Sequence, residues 1–137
     1  MGIGQIHSRK SLHFLLDKEV KRARRHQHSF CILTLTLSEL PNNSNGNGLQ
    51  TCVQALIHFL GEKLRESDIL GVLAEHEWAV ILPYTDPKAA RHAQSLFKDG
   101  LKYYDFKKLG CEVKIDQICF PVDGLTATDL IEKVMRK

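Results

Sequence analysis

One short stretch places a histidine between two acids, Glu75-His76-Glu77, and is flanked by two apolar runs, Ile69–Leu73 and Trp78–Pro83. Carboxylate and imidazole groups are common metal ligands, so this spacing suggests a metal site. The flanking runs, however, predict the two strands of a β-hairpin, and the tip of a hairpin is usually polar simply because it faces water. We therefore predict a solvated hairpin tip and no metal site.

A second group of chemically capable residues is the basic run from Lys18 to Arg25. Cations in this number could contact nucleic acid, but the run has neither interleaved aromatic residues nor a base-reading motif. The formal net charge of the whole chain is only +3. We predict a solvated helix face that leads to a protein partner or an upstream sensor domain, and no nucleic-acid partner.

The four cysteines, Cys31, Cys52, Cys111 and Cys119, show no C-x-x-C pair and no histidine at metal-ligand spacing. Most of them lie in apolar segments, which predicts buried free thiols in a reducing compartment. The sequence has no apolar run of about 18 residues and no signal-peptide pattern at its start. We expect a cytoplasmic protein with no membrane insertion and no cofactor.

Periodic apolar residues define the elements that must position these groups. Helical spacing predicts helices near 9–26, 49–64 and 86–100 and from 127 onward, and alternation predicts strands near 30–38 and 111–120 besides the hairpin. A change of phase between Ile115 and Ile118 predicts a β-bulge in the last strand. The resulting order, α-β-α-β-β-α-β-α, contains the β-α-β-β-α-β core of a ferredoxin-like α/β (α+β) fold, an antiparallel-centred sheet with flanking helices.

The length of 137 residues fits one domain, which we place at 1–137. The last residues, Val134-Met135-Arg136-Lys137, still follow a helical pattern where the sequence stops. We therefore expect a single domain that is compatible with excision from a longer protein.

Two stretches resemble the GGDEF domain, the diguanylate cyclase domain of bacterial cyclic-di-GMP signalling. Arg65-Glu66-Ser67-Asp68, followed by the hairpin to Pro83, is similar to the family's R-x-S-D and signature hairpin. Phe120-Pro121-Val122-Asp123-Gly124 is similar to its Y-P-x-D-G turn. The resemblance covers nearly the whole chain and implies a nucleotide cyclase-like fold.

The same resemblance implies that the catalytic residues are degenerate. The signature Gly-Gly-Asp/Glu-Glu-Phe falls on Ala74-Glu75-His76-Glu77-Trp78, so both glycines and the first acid are absent. The family's metal-binding aspartate falls on Thr36, and its guanine-contacting aspartate falls on Gln50.

Three further family positions can be compared. A phenylalanine falls on Leu40, the guanine-recognising asparagine falls near Asn43 or Ser44, and the closing Ala-Asp falls on Val134-Met135. Mg²⁺ prefers carboxylate oxygens, and a threonine hydroxyl or an imidazole is a poor substitute. The resemblance therefore implies a domain without cyclase activity and without a metal.

One family site is retained in this sequence. Arg65 and Asp68 have the spacing of the family's inhibitory site, which binds cyclic-di-GMP. An arginine can contact phosphate or guanine bidentately, and a carboxylate can accept guanine N–H groups. The family often adds an arginine on the third helix, where this chain has Ser95 or Leu96, and Arg91 lies one turn earlier as a substitute.

Several functional hypotheses remain open at this point. The first is an inactive GGDEF-like signalling module that binds cyclic-di-GMP through Arg65, Asp68 and Arg91. The second is a protein-interaction or dimerisation module, a possible homodimer, in which Arg65 and Asp68 only end a helix. A third, a GTP-binding regulatory domain, is disfavoured by Thr36, Gln50 and the lost glycines.

Overall fold

The computed structural model describes residues 6–41 and 48–135. Four α-helices and five strands follow one another along these residues in the predicted order, with one short strand added at the start and a 3-10 helix (Lys102–Tyr104) after the third α-helix. The helices are α1 (Arg9–His26), α2 (Gly48–Lys63), α3 (Pro87–Leu101) and α4 (Ala127–Met135). The strands are β1 (Ile6–His7), β2 (Phe30–Glu39), β3 (Ile69–Ala74), β4 (Glu77–Leu82) and β5 (Cys111–Phe120).

All five strands form one mixed sheet with the order β1-β3-β4-β2-β5. The β3–β4, β4–β2 and β2–β5 pairs are antiparallel, whereas β1 is parallel to β3. The predicted antiparallel-centred α+β fold is thus confirmed, and only the two-residue β1 was missed. Two residues are too few to show any periodicity, so sequence pattern could not reveal this strand.

Each face of the sheet is covered by a pair of helices. Leu33, Leu35 and Val80 point towards α2 and α3, where Phe59 packs edge-on against Phe97. Ile32, Ile81 and Ile118 point to the other face and pack against α1 and α4. Trp78 is buried against α2 and α3.

The predicted bulge in β5 is wrong. Strand β5 pairs with β2 without interruption from Cys111 to Phe120. The apolar alternation changes phase because Ile115 lies in the core below α2 and α3, while Ile118 lies in the core on the opposite face. Both faces are buried at this level, so no bulge is needed; the irregularity lies in β3, between Val72 and Ala74.

The prediction of four free thiols is wrong for two of the four cysteines. Cys31 and Cys119 stand directly opposite each other on β2 and β5, with Cα atoms 4.1 Å apart, and form a disulfide. They are 88 residues apart in sequence, so only the strand register reveals the pair. Cys52 and Cys111 are buried free thiols as predicted, and burial together with the adjacent Cys111 thiol raises the pKa of Cys52 to about 12.

None of the helices among residues 6–41 and 48–135 combines the length and the apolar character that crossing a membrane requires. The last residues of the chain, 136–137, and the Asn- and Gly-rich stretch 42–47 lie outside the described residues. Asn43 and Ser44, two of the positions compared with the family, belong to that stretch.

Candidate functional site

The β3–β4 hairpin gives the sheet two ends that carry different chemistry. Ile69 pairs with Ile81, and Cys31 pairs with Leu82. Consequently the start of β3, the end of β4 and the Cys31–Cys119 bond lie together, and we call this the anchored end. The Glu75-His76 turn, with Thr36 and Glu77, lies at the opposite end of the same strands, which we call the tip end.

The hairpin turn at the tip end is held against β2. His76 has a φ of 61°, in the left-handed region that glycine adopts most easily. Its carbonyl accepts a hydrogen bond of 2.9 Å from the Leu37 N–H. The His76 side chain therefore occupies a turn position where the backbone conformation favours glycine. In the same turn, Glu75 Oε1 lies 4.0 Å from His76 Nδ1.

The tip end does not fit a magnesium ion. Thr36 stands directly opposite Glu77, so the position compared with the family's metal-binding aspartate does adjoin the surviving acid. Thr36 offers a neutral hydroxyl, and Mg²⁺ binding relies on several hard carboxylate oxygens. No group of three or more His, Cys, Asp or Glu residues within 6–41 and 48–135 is arranged to hold a metal ion.

The other positions compared with the family are scattered. Gln50 is exposed in the first turn of α2, and the Leu40 N–H donates to the Gly110 carbonyl. Val134, in place of the family's alanine, is buried in the core between α1 and α4. In the described part of the chain, Gln50, Leu40 and Val134 thus do not form one polar site, although Val134 lines a cavity together with Thr36 and Glu77.

Sequence reasoning missed two charged residues that join Thr36 and Glu77. Lys114 pairs with Thr36, and Asp116 pairs with Thr34, so both lie on the sheet face that carries Glu77. Together they line a cavity of about 160 Å³, which we call the tip cavity. Its polar walls are Thr34, Thr36, Glu77, Lys114 and Asp116, and its apolar walls are Leu73 and Val134. The available signal was the alternation Lys114-x-Asp116 in β5, which has meaning only once the register against β2 is known.

At the anchored end, Arg65 and Asp68 form a closed pair in the turn between α2 and β3. Arg65 Nε and Nη2 donate to Asp68 Oδ1 at 3.1 and 2.9 Å, and the Arg65 backbone N–H donates to Oδ2 at 2.8 Å. The Asp68 N–H returns a bond of 3.0 Å to the Arg65 carbonyl. The Asp68 side chain is only 4% exposed, whereas the Arg65 side chain is 58% exposed.

This pairing leaves one edge of the Arg65 guanidinium unused. A guanidinium has five N–H donors, and Asp68 engages the Nε–Nη2 edge. On the Nη1–Nη2 edge, Nη1 and the second N–H of Nη2 make no hydrogen bond with the described residues. Together they have the fork geometry that suits a phosphate or the O6 and N7 atoms of guanine. Asp68 therefore orients Arg65.

Arg91 lies near this end but does not join the pair. It is exposed on α3, one turn after Asp86, whose carboxylate caps the helix by accepting the Ala89 N–H at 2.7 Å. Arg91 makes no hydrogen bond or ion pair with Arg65 or Asp68 among the described residues. Its place in a shared site remains a prediction.

The basic run on α1 is largely engaged with the protein itself. Lys21 pairs with Asp17 at 3.2 Å, Arg22 pairs with Glu19 at 3.0 Å, and Arg24 donates to the Leu125 carbonyl. Arg22 also lies over the Tyr84 ring, 5.0 Å from its centre. These contacts support the interpretation of this face as a structural, solvated surface.

Comparisons with known proteins agree on one family. The family model described as the diguanylate cyclase GGDEF domain matches residues 2–135. A search of curated proteins finds no match.

Several solved structures have the same fold at low sequence identity. A diguanylate cyclase protein from Thermotoga maritima is 15% identical, with a TM-score of 0.80 over 96% of this chain and 95% of its own. The GGDEF domain of DgcB from Caulobacter crescentus, in complex with cyclic-di-GMP, is 11% identical, with a TM-score of 0.78 over 96% and 80%. The diguanylate cyclase SiaD of Pseudomonas aeruginosa, in complex with its activator SiaC, is 16% identical, with a TM-score of 0.69 over 94% and 55%.

Proposed function

The chain belongs to the diguanylate cyclase GGDEF domain family, and we propose that it is a catalytically inactive member that binds cyclic-di-GMP at the anchored end. In this proposal, Arg65 and Asp68 form the binding site, Arg91 adds a third contact, and the bound state is passed to a protein partner. The observation that carries it is the guanidinium of Arg65, oriented by a buried carboxylate while its outer edge stays exposed.

The lack of cyclase activity follows from the chemistry of the tip end. Joining two GTP molecules requires a 3′-hydroxyl to attack an α-phosphorus while a metal ion neutralises the developing charge. Glu77 is the single acid left among the three positions where the family has them, and Thr36 and His76 occupy the other two. The Ala74 and Glu75 side chains also stand where glycines would let the nucleotide approach the backbone.

In the proposed site at the anchored end, Arg65 and Asp68 have different roles. Asp68 accepts four hydrogen bonds from Arg65, so its oxygens are engaged before any ligand arrives. Arg65 then offers its Nη1–Nη2 edge to a phosphate or a guanine. We expect the main role of Asp68 to be the positioning of Arg65. This differs from the expectation drawn from the sequence, in which the Asp68 carboxylate itself contacts guanine.

Calorimetric titration with cyclic-di-GMP tests the proposal. We expect saturable binding to the unmodified chain and a loss of some 30- to 1,000-fold in affinity for Arg65→Ala, since a charged bidentate contact is worth about 2–4 kcal/mol. Arg25→Ala, an exposed arginine on α1, is the matched control and should bind as the unmodified chain does. Equal affinity of the two variants would disprove the assignment of the site.

Incubation with GTP and Mg²⁺ or Mn²⁺ tests the other half of the proposal. We expect no cyclic-di-GMP by chromatography at any protein concentration, because the metal lacks its ligands. Product that accumulates in proportion to the chain, and disappears in Glu77→Gln, would show that the tip end is a working active site.

A second candidate function is a protein-interaction or dimerisation module without a nucleotide. The closed Arg65–Asp68 pair favours it, because a helix end that serves only structure would satisfy its polar groups in this way. Absence of heat with cyclic-di-GMP, together with a dimer in sedimentation, would favour this candidate over the first.

We also propose a cytoplasmic location, where cyclic-di-GMP signalling takes place. The Cys31–Cys119 bond makes this testable, because disulfides are rare in the cytoplasm. Rapid alkylation of cells followed by mass spectrometry should find both cysteines reduced and alkylated. A persistent disulfide in cells would argue for an oxidising compartment.

A further inference from the structure

The tip cavity contains charges that the protein does not neutralise. Glu77, Lys114 and Asp116 line it together, yet none of them makes an ion pair or a hydrogen bond with its side chain among the described residues. Glu77 and Asp116 are half-buried, and Lys114 is exposed at the mouth. Their charges are therefore available to pair with a molecule that enters the cavity.

A threonine in the wall of the cavity adds a neutral polar group to these charges. Thr34 is 7% exposed and lines the cavity, and its side chain has no hydrogen-bond partner in the described structure. The other buried threonine, Thr85, donates to the Pro83 carbonyl at 3.0 Å. The Thr34 hydroxyl, which faces the cavity, is therefore available to donate or accept a hydrogen bond with a molecule that enters it.

The size of the cavity limits what that partner can be. Its volume is about 160 Å³. A protein cavity of about 150 Å³ holds a molecule the size of benzene, so the tip cavity accommodates about six to eight non-hydrogen atoms. A nucleotide is several times too large.

The charges determine the chemistry of the partner. Two carboxylates and one ammonium around a small space complement a molecule that carries an ammonium and a carboxylate of its own. Leu73 and Val134 leave an apolar wall for a short side chain. A magnesium ion fits less well, because Lys114 adds a positive charge to a site with only two carboxylates.

We propose that the tip cavity is a binding site for a small α-amino acid. Lys114 pairs with the carboxylate of the ligand, Glu77 and Asp116 pair with its ammonium, and Thr34 accepts a hydrogen bond from it. Glycine, alanine and serine have the required size. The site lies at the end of the hairpin opposite Arg65 and Asp68, so it is independent of the proposed cyclic-di-GMP binding.

Two-dimensional NMR of the ¹⁵N-labelled full chain tests this proposal. Glycine, L-alanine and L-serine should shift the backbone amides of Thr34, Thr36 and Lys114 in a saturable way. Ethylamine and propionate, each of which carries one of the two charges, and MgCl₂ should produce no saturable shift at the same concentrations. Amides of Arg65 and Asp68 should not respond.

Two variants assign the two charged contacts. Lys114→Met and Asp116→Asn should each weaken binding by at least about tenfold, because each removes one charge-assisted contact. Glu112→Gln, on the same strand but outside the tip cavity, should bind normally, and the spectra themselves show whether each variant is folded. The proposal is wrong if no amino acid gives saturable shifts, if ethylamine or Mg²⁺ does so equally well, or if both variants bind as the unmodified chain does.

Discussion

The two ends of the β3–β4 hairpin are built in different ways. At the anchored end, Arg65 and Asp68 are three residues apart in one turn, and they satisfy each other. At the tip end, Thr36, Glu77 and Lys114 come from three strands and meet only through the register of the sheet. A site within one turn keeps its geometry as long as the turn remains, whereas a site made of several strands loses its partners when one position changes.

The covalent link at the anchored end should give the largest effect. Reduction of Cys31–Cys119, which closes a loop of 88 residues, should lower the free energy of unfolding by about 4 kcal/mol. Denaturant unfolding with and without a phosphine reductant measures this difference. Cys31→Ala should show no response to the reductant, and an unchanged midpoint for the unmodified chain would contradict the expectation.

A glycine midway between the two ends should give the next largest effect. A Cβ on Gly71 would lie 2.8 Å from the Cβ of Leu12, which cannot move without shifting α1. Gly71→Ala should cost about 1–3 kcal/mol of stability through overpacking. The thermal unfolding midpoint of Gly71→Ala should therefore fall. If the anchored end and the tip end depend on the same packing of α1 on the sheet, cyclic-di-GMP and the amino acid should both bind more weakly near the lowered midpoint. An unchanged midpoint would mean that α1 shifts to accept the added methyl group.

The pH dependence of stability should report on the core below the tip end. The pKa of Cys52 is about 12 in the folded protein, above the ordinary thiol value of 9.0, so folding favours the protonated thiol. Stability from this group is complete below about pH 9 and falls as the pH rises towards 12, by up to about 1.4 kcal/mol per pH unit. Cys52→Ala should flatten the decline in unfolding measurements between pH 9 and pH 11, and an identical slope would assign the decline to other groups.

The anchored pair itself should have a smaller effect on stability. Asp68→Asn removes the charge that orients Arg65, and because Arg65 is 58% exposed, solvent screening limits the loss to about 1 kcal/mol. Cyclic-di-GMP affinity should fall less than in Arg65→Ala, since the guanidinium is retained. Asp99→Asn, which affects an exposed pair with Lys102, is the control and should change stability by less than about 0.5 kcal/mol.

The smallest change should be stabilising and should occur at the tip end. His76→Gly removes a side chain from the left-handed region and should raise the free energy of unfolding by about 0.5–1 kcal/mol. His92→Gly, on the exposed face of α3, should lower it by about as much, because glycine is a poor helix former. Destabilisation by His76→Gly would show that the imidazole makes a favourable contact.

The sequence predicted the elements and the hairpin because their signals are local. Apolar spacing placed α1, α2 and α3 within a residue or two of their observed ends. The resemblance to the family's motifs then predicted the fold. The match to the GGDEF family model and the similar solved structures both support that prediction.

What the sequence could not show depends on strand register. The Cys31–Cys119 bond, the burial of Thr34 and the meeting of Glu77 with Lys114 and Asp116 all follow from which residues face each other across β2. The phase change in β5 suggested a bulge only because the burial of both sheet faces was not foreseen. The ligand site at Arg65, Asp68 and Arg91 stays a prediction, which titration with cyclic-di-GMP tests.

The Cys31–Cys119 bond also affects how the domain would respond to mechanical force. Strand β5 is at the edge of the sheet and is followed directly by the segment that leads to α4. Tension applied from a neighbouring domain through α4 would normally peel an edge strand away, one hydrogen bond at a time. With Cys119 bonded to β2, that tension passes into the interior of the sheet, so the oxidised domain should transmit a pull from its C-terminal side without unravelling.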